Sequence, residues 1–248
     1  MFSLRKILNF YIHSSIHVGL AVFSLVKLSN PQWNSYSFLV LLGTIVGYNF
    51  LKYSEWFLSD KIFRFNFFGI LSVTLISALG FLLLFLQQDS SLQLDLIIAF
   101  ALVVLYPFIR KTGWIKPFYV SFVVSYITLF IPLNRHEEIV LLFIQRFLLL
   151  SSVMIPFEIL DSTTDAVAMK TLPHLFGIQR TKQIGYVLVV LFCVVSFHAL
   201  DCLYPCFIYA LSSVVAIYFS SEKRSWYYTS FWVESLPIVW WLISIVFQ

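Results

Sequence analysis

Ile70-Leu-Ser-Val-Thr-Leu-Ile-Ser-Ala-Leu-Gly-Phe-Leu-Leu-Leu-Phe-Leu86 contains no charged side chain and no proline. A helix needs roughly 20 consecutive apolar residues to cross a hydrocarbon core, and this run nearly reaches that length by itself. Ile184–Leu200 reads the same way. Around these runs, the 248-residue chain is 60% hydrophobic, 19% aromatic and only 11% charged, with a mean hydropathy of +0.89. A soluble domain has an apolar share nearer about 45–50%, so a soluble globular fold is excluded. Strict apolar–polar alternation in segments of about ten residues, the mark of a membrane β-barrel, is absent. The fold class is all-α, and the chain is a polytopic, integral membrane protein.

Hydropathy and breaker placement predict nine spans, at 8–28, 36–54, 66–86, 92–109, 117–133, 139–160, 184–200, 203–220 and 229–247. No linker or low-complexity tract divides them, so 1–248 reads as a single transmembrane domain. Arg5 and Lys6 precede a first span that lacks a small-residue cleavage site, so this span is expected to be retained. No pair of broken helices stands out in the sequence.

Basic residues are strongly asymmetric about these spans. The N-terminus and the even connections hold thirteen: Arg5, Lys6, Lys52, Lys61, Arg64, Arg110, Lys111, Lys116, Lys170, Arg180, Lys182, Lys223 and Arg224. The odd connections hold two, Lys27 and Arg135, and Arg146 falls within the sixth span. The positive-inside rule therefore places the N-terminus in the cytoplasm and the C-terminus outside, as in a multi-pass protein of the cell (inner) membrane. The net charge of +4 reports this orientation and does not indicate nucleic-acid binding. Cys193, Cys202 and Cys206 lack histidine partners and read as apolar packing.

Polar residues converge on the side of the even connections. The sixth span ends Glu158-Ile-Leu-Asp161-Ser-Thr-Thr-Asp165-Ala-Val-Ala-Met-Lys170-Thr-Leu-Pro173. A continuing helix puts Glu158, Asp161 and Asp165 on one face. Like charges so placed need solvent, a metal ion or a basic side chain among them. The second span ends with Asn49, Lys52, Tyr53 and Glu55, and the fourth with Tyr106, Arg110 and Lys111. Acids beside many bases suit a polyanion that carries a divalent metal. Arg146 and Glu234 are charges inside predicted spans, where a charge usually faces a cavity or the bundle interior. His13 and His17, four apart, are expected to share a face and to hydrogen-bond between helices.

These residues resemble the UbiA superfamily of intramembrane prenyltransferases. Asp161-x3-Asp165, followed by Lys170-Thr-Leu-Pro173 and Gly177, looks like the second Asp-rich motif of that family. Tyr106-Pro-Phe-Ile-Arg110-Lys111 looks like its Tyr-x3-Lys-Arg element. The resemblance implies nine helices around a central cavity, Mg²⁺ held by Asp161, Asp165, Asn49 and Glu158, and diphosphate bound by Arg110, Lys111, Lys170 and Tyr106. Lys52, Tyr53, Glu55, Arg146 and Glu234 are cavity candidates. The implied partners are membrane lipid, a prenyl diphosphate donor and a lipophilic acceptor. The first Asp-rich motif departs from the family pattern: of Asn-Asp-x2-Asp-x3-Asp only Asn49 remains, with Phe50, Tyr53 and Phe57 in the acidic positions. That departure sets a second expectation, a catalytically impaired relative that binds or carries an isoprenoid or other lipid.

Overall fold

The computed structural model describes residues 4–57, 67–133, 139–164, 169–198 and 203–246, and all its regular elements are helical, with no strand among the described residues. In chain order they are α1 (Leu4–His13), α2 (Ile16–Ser29), α3 (Ser35–Phe57), α4 (Phe67–Leu86), α5 (Ser90–Arg110) and α6 (Lys116–Ser125). They continue with α7 (Ile139–Asp161), α8 (Leu172–His198), α9 (Leu203–Phe219) and α10 (Leu236–Val246). π-helical turns extend α6 over Tyr126–Phe130 and precede α10 over Tyr228–Val233.

The apolar surface is arranged for lipid. In α4, which has a mean hydropathy of 2.5, Leu75, Ile76, Leu79, Leu82 and Leu83 are exposed. Val187, Val190, Val194 and Phe197 line α8 in the same way. Contiguous apolar faces of this size do not occur on water-soluble monomers. Among the described residues, five helical segments are long and apolar enough to cross a membrane, and α1 with α2 makes a sixth if the bent pair is one span. The chain is therefore a helical membrane protein.

Each expected span overlaps a helical segment, with two departures. The first expected span is broken: Ser15 takes a left-handed φ of 61°, and α2 turns away from α1 by 59°. Hydropathy does not mark this break, because Ser14-Ser15 lies inside an otherwise apolar run and carries no proline. His13 and His17 consequently do not stack on one helical face. α8 is broken at Gly177, whose φ of 77° and ψ of 162° are not helical, and the part after this break already carries Arg180 and Lys182. The helix of the seventh span therefore begins before residue 184, and these two bases lie within it instead of in a connection. Lys182 Nζ donates to the Tyr218 carbonyl at 2.9 Å and satisfies the C-terminal end of α9.

Two buried clusters organise the bundle. Ile155, Ile159, Leu172, Val189, Phe192, Ile217 and Trp240 join α7, α8, α9 and α10. Val22, Val26, Tyr36, Leu39, Val40, Leu96, Ala99 and Ile131 join α2, α3 and α5 with the end of α6. α7 packs on α6, α8 and α9, and α2 packs on α3 and α10. The ends of α3, α5 and α7 meet where Tyr48 lies within electrostatic reach of Tyr106, Arg110 and Asp161.

Candidate functional site

The site begins with a turn. Pro117 follows Lys116 and supports a helix start there, since proline at the first helical turn loses no hydrogen bond. Before it, Gly113 takes a φ of +66°, and a Cβ on it would lie 1.6 Å from the Met169 carbonyl oxygen. The α5–α6 turn thus rests on the backbone of Met169 and Lys170, just beyond the acidic stretch. Only glycine allows both the left-handed backbone and the close approach.

This docking carries Lys116 into the acids. Its Nζ lies 3.2 Å from Glu158 Oε1 and 2.9 Å from Asp161 Oδ2. The Lys116 and Glu158 side chains are 6% and 0% exposed, whereas Asp161 remains 41% exposed. A carboxylate with no exposed surface is costly unless charge and hydrogen bonds compensate it, and Lys116 supplies the charge. Tyr106 lies within electrostatic reach of Lys116, Arg110, Glu158 and Asp161. Tyr48 lies within reach of Tyr106, Arg110, Asp161 and Glu234. Glu234, at the end of the π-helical turn before α10, in turn feels Lys52. The result is a chain of polar groups drawn from α3, α5, α6, α7 and the last helix.

The end of α7 is fixed by a second set of bonds. Ser162 Oγ donates to Glu222 Oε1 at 3.2 Å. His174 Nε2 lies 3.0 Å from the Ser162 carbonyl and Nδ1 lies 3.0 Å from Thr171 Oγ1. A carbonyl can only accept, so Nε2 carries the proton and Nδ1 accepts from Thr171. Thr171, Leu172 and Pro173 are buried beneath this bond.

The expected site residues divide accordingly. Glu158, Asp161, Tyr106 and Arg110 come together. Lys170 is exposed at a left-handed φ of 50° on the loop that Gly113 supports, and Lys111 is exposed beside Arg110. Glu234 lies within electrostatic reach of Tyr48 and Lys52, and Lys52 Nζ sits over the Tyr53 ring, 5.3 Å from its centroid. Asp165 falls outside the described residues, as does the side chain of Glu55 on α3. Among the described residues no three of His, Cys, Asp and Glu are grouped to hold a metal ion.

Three expected residues are engaged elsewhere. Asn49 accepts from Ser15 Oγ at 2.6 Å and donates to the Ser14 carbonyl at 3.0 Å and Thr74 Oγ1 at 2.9 Å. Its amide bridges the α1–α2 break to α4, away from the carboxylates. Tyr53 donates to the His13 carbonyl at 2.7 Å, which steadies the same break. Arg146 donates to the Leu25 carbonyl at 3.0 Å and Ser29 Oγ at 3.1 Å, clamping the C-terminal end of α2 at the other end of the bundle. There Lys27 Nζ donates to the carbonyls of Pro31 and Gln32 at 2.7 and 2.6 Å.

The sequence-level site lacked its central cation. Lys116 was legible as one base among many, but nothing in the spacing tied it to Glu158. The available signal was the Gly113-x2-Lys116-Pro117 order, a left-handed turn feeding a proline-started helix. Among the described residues, two clefts include none of Lys116, Glu158 and Asp161 in their lining, one at the 218–224 turn and one in an apolar groove bordered by Leu211, Phe219 and Trp232. Comparison with known proteins finds no matching family model, no matching curated protein and no matching solved structure.

Proposed function

We propose that the chain is a UbiA-like intramembrane prenyltransferase, transferring an isoprenyl group from its diphosphate to an aromatic or other lipophilic acceptor. The observation that carries this reading is the seating of the Tyr106–Lys116 segment on the Glu158–Lys170 segment through Gly113. It gathers bases and carboxylates at one end of an apolar bundle, the arrangement a metal-bearing diphosphate requires. In this reading all nine segments cross the membrane, and this end faces the cytoplasm because the basic connections belong to it.

Arg110, Lys111 and Lys170 neutralise the diphosphate oxygens, so the C–O bond breaks with the electron pair leaving on diphosphate. The aromatic faces of Tyr48 and Tyr106 attract the allylic cation left behind. The acceptor then forms the new bond and releases a proton. Asp161, which is open, would hold a Mg²⁺ ion carried in with the diphosphate, whose chemistry would be to offset the leaving-group charge; Asp165, expected to share it, lies outside the described residues.

The test is turnover of radiolabelled geranyl and longer prenyl diphosphates with quinone-precursor acceptors and Mg²⁺, using purified protein in detergent. Label transfer is expected, reduced at least tenfold in Asp161→Asn and in Arg110→Ala. Transfer undiminished in both variants would overturn the assignment. A second reading, an isoprenoid-binding or carrier protein without chemistry, is favoured by one observation: Asn49, the remnant of the first motif, is committed to Ser14, Ser15 and Thr74. Donor binding without Mg²⁺ dependence and without product would select it.

A further inference from the structure

We propose that Lys116 is a tethered cation that fills the position between Glu158 and Asp161, so that the site takes a diphosphate with at most one divalent metal ion. The inference rests on the reading of this cluster as a diphosphate site and concerns how its charge is balanced.

The ammonium lies 2.9 Å from Asp161 Oδ2 and 3.2 Å from Glu158 Oε1, so it occupies the space that a bridging ion would need. It is not a mobile surface group. The Lys116 side chain is 6% exposed, its backbone starts a helix at Pro117, and the preceding turn is pinned where Gly113 meets Met169. Two carboxylates and one ammonium leave a single net negative charge. A divalent ion placed between Glu158 and Asp161 would sit within a few ångström of that ammonium. Like charges a few ångström apart in a poorly solvated site repel strongly. Among the described residues of this cluster, the open oxygen of Asp161 remains the place for a metal, and the enclosed Glu158 is served by lysine.

A lysine in this role also changes what the site needs. A fixed ammonium donates hydrogen bonds to phosphate oxygens without depending on free metal concentration. Part of the diphosphate charge is thereby met by the chain itself, which offsets the acidic positions missing at Phe50, Tyr53 and Phe57.

The experiment counts protein-bound Mn²⁺ by equilibrium dialysis of the full chain, with Mn²⁺ alone and with Mn²⁺ plus inorganic pyrophosphate, each taken as the difference from Asp161→Asn. Wild type is expected to hold no more than one ion with pyrophosphate. Lys116→Met is expected to bind Mn²⁺ alone at least tenfold more tightly than wild type, and Lys116→Arg to match wild type. Two or more pyrophosphate-dependent ions per wild-type chain would overturn the proposal, as would an unchanged affinity in folded Lys116→Met. Should Lys116→Met fail to fold in a thermal scan, the wild-type count decides alone. If pyrophosphate does not bind wild type, the diphosphate reading fails, while the contrast between wild type and Lys116→Met still decides the role of Lys116.

Discussion

The Ser15 hydroxyl donates to Asn49 Oδ1 at 2.6 Å, joining the break in the first hydrophobic segment to the middle of α3. At membrane depth a freed backbone carbonyl has no water to turn to, and a neighbouring side chain must satisfy it. Asn49 does so for Ser14 through its Nδ2 while its Oδ1 holds Ser15. Asn49→Asp separates this role from metal ligation. The nearly isosteric change replaces the Nδ2 donor with an oxygen facing the Ser14 carbonyl, leaving a buried acceptor unpaired, at a cost of about 1–3 kcal/mol. Thermal unfolding in detergent is expected to show a lowered Tm that Mg²⁺ does not restore. A metal ligand would respond the other way, since a carboxylate binds Mg²⁺ better than an amide does.

Gly113 and Gly177 both hold positive φ, yet they differ in what surrounds them. A Cβ at Gly113 meets the Met169 carbonyl at 1.6 Å, whereas one at Gly177 meets nothing within 4 Å. Gly113→Ala must therefore part the α5–α6 turn from the 169–170 loop. The expected cost is roughly 3 kcal/mol or more, from left-handed strain plus a backbone clash. Gly177→Ala carries only the strain of its φ of 77° and ψ of 162°, roughly 1–3 kcal/mol. Paired Tm measurements are expected to rank Gly113→Ala as the more damaging. Only Gly113→Ala is expected to abolish pyrophosphate binding, because only it displaces Lys116.

Hydropathy made the helical segments legible because each carries its own apolar run, and lipid leaves the backbone little choice but helix. The seating of Lys116 was not legible. It depends on a contact between Gly113 and Met169, more than fifty residues apart, and a local pattern does not encode such a pairing. The bonds of Asn49 were not legible for a related reason. Its position in a motif suggested a ligand, while its bonds serve a break at Ser14-Ser15 that hydropathy reads as continuous helix. Arg146 was legible as a charge needing partners from another segment, and the Leu25 carbonyl and Ser29 are those partners.

Arg146 lies twelve residues before Glu158, about 18 Å along a helix rising 1.5 Å per residue. Its guanidinium clamps α2 to α7 far from the carboxylates. Arg146→Met removes charge-assisted bonds to Leu25 and Ser29, each worth about 1.5–3 kcal/mol. Tm is expected to fall, with pyrophosphate affinity in the surviving folded protein unchanged within twofold. A tenfold loss of pyrophosphate affinity without a change in Tm would instead make Arg146 a ligand-binding residue.

The proposed orientation can be read with single cysteines. Thr112 and Gln32 are both exposed, Thr112 on the turn that carries the bases and Gln32 on the α2–α3 connection. If basic connections are retained in the cytoplasm, the two must lie on opposite sides of the membrane. In a background with Cys193, Cys202 and Cys206 changed to serine, Gln32→Cys in intact cells is expected to react with a membrane-impermeant maleimide. Thr112→Cys is expected to react only after the membrane is opened. The reverse pattern would place the Lys116–Asp161 pair on the outer side, where a cytoplasmic prenyl diphosphate could not reach it, and so would remove the prenyltransferase reading along with the orientation. Labelling of both residues in intact cells would instead show that an odd number of crossings does not separate them, which contradicts one crossing each by α3, α4 and α5.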